Sequence, residues 1–487
     1  MKQKDFVFNI CLLVFLNLLV KPFWILGIDV GVQNSVGTEN YGLYFAVFNF
    51  TYLFNMLLDM GITNFNNRNI AQNPHLLAKH FSGIVTLKFL LGLSYLAIVL
   101  AVGLFIGYRD LHLKLLFWTA INQFLNTFIL YLRSNVAALM LFKTDSCLSI
   151  TDKLLMIALC SALLWGNVTS TPFRIEWFVY AQTTAYVLTA LIALAVVIIK
   201  GKPQRPCWDF AFFTDILKQS LPFALLYFLM SFYNRVDSVM LERILPEDIA
   251  TYQAGIYASA FRLLDALVMI SYLFSVILLP LFSKMIKEKE DLKPIVKTSF
   301  CLLFFFSATV AILLYFFREP VLDLLYDEHV TESAEVFKVL IFGLIPISLA
   351  YLFGTLLTAR GDMKKLNVVA GIGIAVNIAV NVLLIPEFHA CGAAIASLAT
   401  QSVVTCSQIL IVFRTFDMPL KELPLISSGL YVMLLIAASI LMLHYGNGIL
   451  SPVLMLALLS ARAVGFAFAT RLLSLKDIFA FGKNSGK

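Results

Sequence analysis

Residues 249–283 read IATYQAGIYASAFRLLDALVMISYLFSVILLPLFS, and this apolar stretch carries Arg262 and, one helical turn later, Asp265. A charged side chain at the centre of a bilayer costs roughly 2.5–3.5 kcal/mol on insertion scales. We therefore expect the pair either near a membrane interface or facing a polar interior of the protein. Because the two residues are at i and i+3, their side chains can also pair along one helix face.

The composition of the whole chain places it in a membrane. Of its 487 residues, 60% are hydrophobic and 13% are charged, whereas soluble domains carry about 25% charged residues. Apolar runs recur at about 20 residues, the length that spans hydrocarbon as a helix. A β-barrel would instead show alternating segments of about ten residues. The sequence thus predicts an all-α polytopic membrane protein.

Apolar runs and the polar segments between them predict about fourteen transmembrane helices. They are 6–28, 41–59, 82–107, 115–132, 148–166, 176–199, 220–240, 250–283, 298–317, 336–359, 367–385, 391–413, 424–443 and 450–470. The first run is too long for a signal-peptide core, so we interpret it as a retained span. An even number of spans places both termini on the same side of the membrane, and we assign that side to the cytoplasm. In this orientation most of the 36 Lys and Arg residues fall in inner segments, as the positive-inside rule requires.

Several classes of function are disfavoured by the same sequence. The seven cysteines are scattered and form no CxxC or Cys/His cluster, so we expect neither a disulfide framework nor a metal site. The net charge of +7 is explained by topology and by attraction to anionic lipid, and it gives no indication of nucleic acid. No loop is long enough to fold as a catalytic domain, and no P-loop motif is present. We expect a protein that is not an enzyme and has no cofactor.

An internal repeat is indicated by two short motifs. Gly42-Leu43-Tyr44 and Gly255-Ile256-Tyr257 are 213 residues apart, and each follows a short acidic loop and opens a span. A shift by the same 213 residues aligns the first six predicted spans with spans seven to twelve. The predicted domains are an N-terminal six-helix lobe (1–199), a cytoplasmic linker (200–219), a C-terminal six-helix lobe (220–413), helices 13 and 14 (424–470) and a cytoplasmic tail (471–487). Transporters commonly bind substrate between such repeats.

Three longer segments carry a resemblance to a known family. They are GTENYGLYFAVFNF with the following LLDMGI, NRVDSVMLERILPEDIATYQAGIYASAFRLLDAL, and GTLLTARGDMKKLNVVAGIGIAVNIAVNVLLIPEFHACGAAIASLATQ. In order and spacing they resemble the polysaccharide flippases, of the O-antigen or exopolysaccharide type, of the multidrug/oligosaccharidyl-lipid/polysaccharide exporter (MOP) superfamily. The resemblance covers nearly the whole chain.

The resemblance implies both an architecture and a transport step. Two six-helix lobes would form a V around a central cavity that opens alternately to each side. The substrate would be a polyprenyl-pyrophosphate-linked oligosaccharide, moved across the bacterial inner membrane for surface polysaccharide or lipopolysaccharide biosynthesis. The expected partners are this substrate, membrane lipid and polysaccharide-assembly enzymes, which the Lys-rich loop 284–297 is expected to dock.

Such a substrate calls for cations that bind phosphate and for amide and aromatic groups that bind sugars. The candidates for substrate binding are Arg262, Lys21, Arg235 and Asn49, and the candidates for an ion pair or gate are Asp237 and Asp265. Three interpretations of Arg262 stay open, namely a cation for pyrophosphate, an arginine at the membrane interface, and a structural ion pair with Asp237 or Asp265. For Lys21, a cation in the cavity and extension of the ammonium to the interface both stay open. Lys88, near the inner end of span three, is expected to extend its ammonium to the interface.

Two alternative functions also stay open. An ion-coupled multidrug exporter of the same fold would need buried acids, whereas the clearest charge within the first six spans is Lys21. A peptidoglycan-precursor lipid flippase would need a more strongly cationic cavity. Either Na⁺ or H⁺ would serve as a coupling ion, and the sequence does not decide between them.

Overall fold

The computed structural model describes most of the chain. The described residues are 16–17, 19–63, 66, 70, 76–139, 141–166, 168, 171–201, 210–419, 423–446 and 450–474. The regular elements within them are all helices. The chain divides into two compact units, Met1–Ala258 and Ser259–Lys487, called the first and the second unit below.

In the first unit, helical residues 19–23 lead into a π-helical turn, Trp24–Asp29, which is followed by α-helices. These are α1 (Val30–Val36), α2 (Thr38–Leu53), α3 (Met56–Asp59), α4 (Leu76–Phe105), α5 (Asp110–Ala138), α6 (Phe142–Trp165), α7 (Ile175–Gly201), α8 (Phe210–Ile244) and the first part of α9 (Glu247–Glu288). Helix α5 packs against α7, α2 and α4, and α8 packs against α2. The hydrophobic core of the first unit includes the buried side chains of Phe81, Tyr131 and Ile216.

The second unit holds the remainder of α9 and seven further helices. These are α10 (Lys293–Phe316), α11 (Arg318–Leu325), α12 (Val330–Leu340), α13 (Leu344–Arg360), α14 (Met363–Thr415), α15 (Leu425–Gly446) and α16 (Pro452–Ala469). Helix α14 is interrupted at His389, whose φ of 49° and ψ of −128° are not helical. Helices α15 and α16 pack against each other and against α10.

The prediction of an all-α polytopic membrane protein is confirmed. Ten helices among the described residues are long and apolar enough to cross a membrane. One of them, α14, contains both predicted spans 367–385 and 391–413, separated at His389. Much of the predicted span 6–28 lies outside the described residues. The count of fourteen therefore stays a prediction, as do the two six-helix lobes.

Two segments that were predicted as loops are partly helical. Residues 318–335 contain α11 and the start of α12, and α12 continues through a 3-10 turn, Ile341–Gly343, into α13. Helix α8 begins at Phe210, inside the predicted linker 200–219. In both segments apolar residues recur among polar ones, and Phe213, Ile216 and Leu322 are buried. Packing of these side chains explains why the helices extend beyond the purely apolar runs.

The two Gly-x-Tyr motifs of the internal repeat pack against each other within the first unit. A Cβ atom on Gly42 would lie 2.0 Å from the carbonyl oxygen of Thr251, and one on Gly255 would lie 2.1 Å from the carbonyl oxygen of Thr38. The contact is reciprocal, because Thr38 and Thr251 are separated by the same 213 residues as the two glycines. Helices α2 and α9 thus meet backbone to backbone, which only glycine permits.

Candidate functional site

A half-buried lysine and two aromatic rings form the centre of the candidate site. Lys153, in the middle of α6, has its Nζ 3.1 Å from an oxygen of Asp152 and donates to the Tyr186 hydroxyl at 3.5 Å. The ammonium also lies 5.4 Å from the ring centroids of Trp24 and Tyr186. The ammonium is therefore stabilised by both a carboxylate and the faces of two aromatic rings.

Two further cations lie next to this centre. Arg133 on α5 forms a bidentate pair with Asp145 on α6, at 2.9 Å and 3.3 Å. Lys21 lies within electrostatic range of Lys153, Asp152 and Arg133. The structure thus places the predicted substrate-binding residue Lys21 among charges from α5 and α6.

A second predicted residue joins the same region through aromatic rings. The guanidinium of Arg235 on α8 lies 5.3 Å from the ring centroid of Tyr52, and Tyr52 is within electrostatic range of Tyr186. We call this group the basic cluster. Its members are Lys21, Arg133, Lys153 and Arg235, the carboxylates Asp145 and Asp152, and the aromatic residues Trp24, Tyr52 and Tyr186.

The basic cluster has the chemistry to bind a large anionic headgroup. Its four basic side chains outnumber its two carboxylates. The side chains of the two ion pairs retain 13–20% exposure, so they are not fully enclosed by protein. Lysine and arginine bind phosphate through charge-assisted hydrogen bonds, and aromatic faces pack against apolar faces of sugar rings.

Asn49 and Asp237 take part in contacts between helices in this structure. Asn49 is buried and donates to the Ser238 hydroxyl at 2.9 Å and to the Phe45 carbonyl oxygen at 3.0 Å, which links α2 to α8. Asp237 is also buried and accepts a 2.9 Å hydrogen bond from the Tyr257 hydroxyl. A role of either residue in substrate binding or gating stays a prediction.

Arg262 and Asp265 both lie in the part of α9 that belongs to the second unit, and both are half-buried. Partial exposure is what a residue that meets a substrate requires, and it is equally compatible with a structural pair. Their proposed roles stay predictions.

The expectation for Lys88 is wrong. Its side chain is 1% exposed, and its ammonium pairs with Asp59 inside the first unit instead of reaching the membrane interface. A carboxylate and further oxygen acceptors in the interior compensate the ammonium for its lost hydration, so the side chain does not extend to water. The sequence signal was Asp59 in the LLDMGI segment, which was assigned to a span end and not connected to Lys88.

Sequence reasoning also missed Arg133 and Lys153, which were not selected as candidate site residues. Both lie within helices, and Lys153 lies near the middle of α6. The available signal was the charged pair Asp152-Lys153 inside the apolar run 148–166. Adjacent opposite charges within a span indicate a polar surface on that helix.

A separate polar group fixes the predicted outer end of α8. Glu242 accepts a 2.7 Å hydrogen bond from Tyr108 and lies 3.3 Å from His112 Nε2 and 3.4 Å from Arg243. The Arg243 guanidinium stacks 4.1 Å from the Tyr108 ring centroid. Burial, followed by the negative charge of Glu242, raises the pKa of the Tyr108 phenol, so this hydroxyl remains a donor.

We expect Glu242→Ala to lower the free energy of unfolding by about 1–3 kcal/mol, because Tyr108 and Arg243 lose a buried acceptor. The measurement is the melting temperature of purified protein in detergent. The matched control is Glu176→Ala, which removes an acid paired with Lys114, a residue that is half exposed; such pairs contribute less than about 1 kcal/mol. Equal melting temperatures for the two variants would contradict the structural role of Glu242.

Comparisons with protein families match both halves of the chain. The model of a family described as polysaccharide biosynthesis protein matches residues 7–286. The MatE family model matches residues 222–383. A sequence search of curated proteins found no match.

Solved structures share the fold. The chain is similar to the lipid II flippase MurJ in an inward closed conformation, with 13% identity, a TM-score of 0.69, and coverage of 96% of this chain and 97% of that one. It is similar to an inward-facing multidrug resistance MATE family transporter of the MOP superfamily, with 13% identity, a TM-score of 0.61, and coverage of 83% and 98%. A MOP superfamily transporter from Pyrococcus furiosus is similar at 14% identity, with a TM-score of 0.54 and coverage of 86% and 96%.

Proposed function

Because the chain belongs to the polysaccharide biosynthesis protein family, within the MOP superfamily of flippases and exporters, we propose that it moves a polyprenyl-pyrophosphate-linked oligosaccharide across a bacterial inner membrane for surface polysaccharide biosynthesis. The step is transport by alternating access, with no bond made or broken. Both termini would lie in the cytoplasm, and the loop 284–297 would dock polysaccharide-assembly enzymes.

The observation that supports this proposal most is the basic cluster. A pyrophosphate headgroup with several sugars cannot enter hydrocarbon without losing its hydration, so the protein must replace water with cations and polar groups. Lys21, Lys153 and Arg235 supply cations. Trp24, Tyr52 and Tyr186 supply faces for sugars. The excess of basic over acidic groups favours an anionic substrate over a cationic drug.

A peptidoglycan-precursor flippase is the second candidate. The similarity to the lipid II flippase MurJ extends over 96% of this chain, whereas that to the MATE transporter extends over 83%. Helices α15 and α16 would then assist the lipid tail of the substrate. The two candidates share a lipid-linked anionic headgroup and differ in the attached sugars.

The test is a translocation assay with purified protein in liposomes. Fluorescent polyprenyl-pyrophosphate oligosaccharide, lipid II and a cationic dye are compared as substrates in parallel. The proposal predicts that the first crosses faster than in protein-free liposomes and that the dye does not. Transport of lipid II alone would favour the second candidate, and transport of the dye alone would favour a multidrug exporter.

Arg262→Ala is expected to reduce translocation by about tenfold, because one charge-assisted contact to phosphate contributes roughly 1.5 kcal/mol at the lower end of its range. Expression and melting temperature should change little. Arg262→Lys, which keeps the charge, should retain more activity than Arg262→Ala. Normal transport by well-expressed Arg262→Ala protein would remove Arg262 from the substrate path and leave the structural ion pair as its role.

A further inference from the structure

The ammonium of Lys88 is held by oxygens from one short segment of the first unit. Lys88 Nζ donates to the Leu58 carbonyl oxygen at 3.3 Å, to a carboxylate oxygen of Asp59, and to the Thr63 hydroxyl at 3.5 Å. A lysine ammonium has three N–H donors, and the three oxygens match them one to one. The side chain is 1% exposed.

The backbone of this segment is shaped to present these oxygens. Helix α3 ends at Asp59, Met60 adopts the left-handed conformation with φ of 45°, and Gly61 has φ of 78°. An interrupted helix leaves carbonyl oxygens at its C-terminal end without helical donors, and that end favours positive charge. Leu58 provides such a carbonyl.

The carboxylate of Asp59 is itself held in place. The Thr63 N–H lies 3.3 Å from both Asp59 oxygens, and the Thr63 hydroxyl also donates to the carboxylate. Thr63 thus orients Asp59 and still has a lone pair for Lys88. On another side, the Tyr131 ring centroid lies 5.7 Å from Nζ. The positions of the three oxygens are therefore fixed largely by groups other than Lys88.

A carboxylate, a carbonyl oxygen at a helix break and a hydroxyl form a ligand set suited to a hard monovalent cation. We propose that Leu58, Asp59 and Thr63 form a monovalent-cation site whose resident cation is the Lys88 ammonium. The wild-type protein therefore has a built-in cation at this position and needs no Na⁺ there. Removing the lysine opens the site to Na⁺. The side chain of Asp59 is 23% exposed, so the site is not fully enclosed by protein.

The test is the melting temperature of Lys88→Ala protein in detergent, measured in NaCl and in choline chloride at equal ionic strength. Choline is too large for the position that Nζ vacates. We expect the variant to melt below wild type in choline chloride and to recover by about 3 °C or more as NaCl is raised, with saturation, as binding to the folded state requires. Wild type should melt equally in both salts.

Two controls separate a specific site from a general salt effect. Lys88→Ala combined with Asp59→Asn removes the anionic ligand and should abolish the Na⁺ response. Lys338→Ala removes a lysine from an exposed pair with Glu335 and should show no preference between the salts.

The proposal is overturned if Lys88→Ala melts equally in NaCl and choline chloride, or if the double variant keeps the Na⁺ response. It is also overturned if Lys88→Ala gives no folded protein in either salt, because Na⁺ then cannot replace the ammonium. None of these outcomes depends on which substrate the protein moves.

Discussion

Gly42→Ala is expected to abolish transport and to destabilise the protein by about 3 kcal/mol, the upper end of typical overpacking costs. The added methyl would lie 2.0 Å from the Thr251 carbonyl oxygen and 2.5 Å from the Gly255 nitrogen. Both are backbone atoms, so no side-chain rotation relieves the clash and the two helices must separate. The measurements are the melting temperature in detergent and the translocation rate in liposomes.

Because Gly42 and Gly255 occupy equivalent positions in the contact between α2 and α9, a second variant tests the same contact. Gly255→Ala should behave like Gly42→Ala, because its added methyl would meet the Thr38 carbonyl oxygen at 2.1 Å. The matched control is Gly371→Ala, a change of the same size within a helix where a Cβ meets nothing within 4 Å. Melting and transport of Gly42→Ala close to those of Gly371→Ala would show that α2 and α9 do not need their close approach.

Lys21→Gln is expected to reduce translocation by about tenfold to hundredfold, since a hydrogen bond to a charged group contributes roughly 1.5–3 kcal/mol. The glutamine keeps length and polarity but removes a positive charge from the basic cluster. The acids of the cluster keep Arg133 and Lys153 as partners, so folding should be little affected. Initial rates in liposomes, at several substrate concentrations, provide the measurement.

The control for Lys21 is a lysine of the same unit outside the cluster. Lys114→Gln removes a half-exposed charge that pairs with Glu176, and it should transport normally. Lys21→Arg should keep most of the activity because the charge remains. If Lys21→Gln and Lys114→Gln transport equally well, the basic cluster is not the headgroup site.

Much of the fold was predictable because hydrocarbon allows few structures. Apolar runs near the length of a span indicated helices, and most described helices lie where they were predicted. Segments with mixed polarity were less predictable. The helix start at Phe210 and the helices within 318–335 depend on buried contacts of single apolar residues, which no window of average hydropathy detects.

The candidate site was predictable only in part. Lys21 and Arg235 were selected because a charge within an apolar run needs a reason. Arg133 and Lys153 were missed because Arg133 directly follows the predicted span 115–132 and Lys153 is adjacent to a carboxylate, Asp152, so neither was an isolated charge within an apolar run. The pairing of Lys88 with Asp59 depends on the break in the helix after Asp59, where Met60 adopts the left-handed conformation. Asp59 was visible in the sequence, but a non-glycine residue rarely adopts that conformation, so the position of the break was not predictable.

The two Gly-x-Tyr motifs form a weak sequence pattern whose physical role is visible only in the structure. Three matching residues at an offset of 213 are a slight signal in a chain rich in glycine and aromatic residues. The structure brings the two motifs into contact, with Gly42 and Gly255 in equivalent positions. Their close packing could not be derived from the sequence, since a glycine in a membrane helix serves equally well at a bend or at a contact.

The most direct test of the proposed function is mass spectrometry of lipid-linked glycans in the native cell, before and after depletion of this protein. The account predicts accumulation of a polyprenyl-pyrophosphate oligosaccharide and loss of the corresponding surface glycan. The accumulated species would also identify the sugars of the substrate. An unchanged lipid-linked pool together with an intact surface glycan would contradict the account.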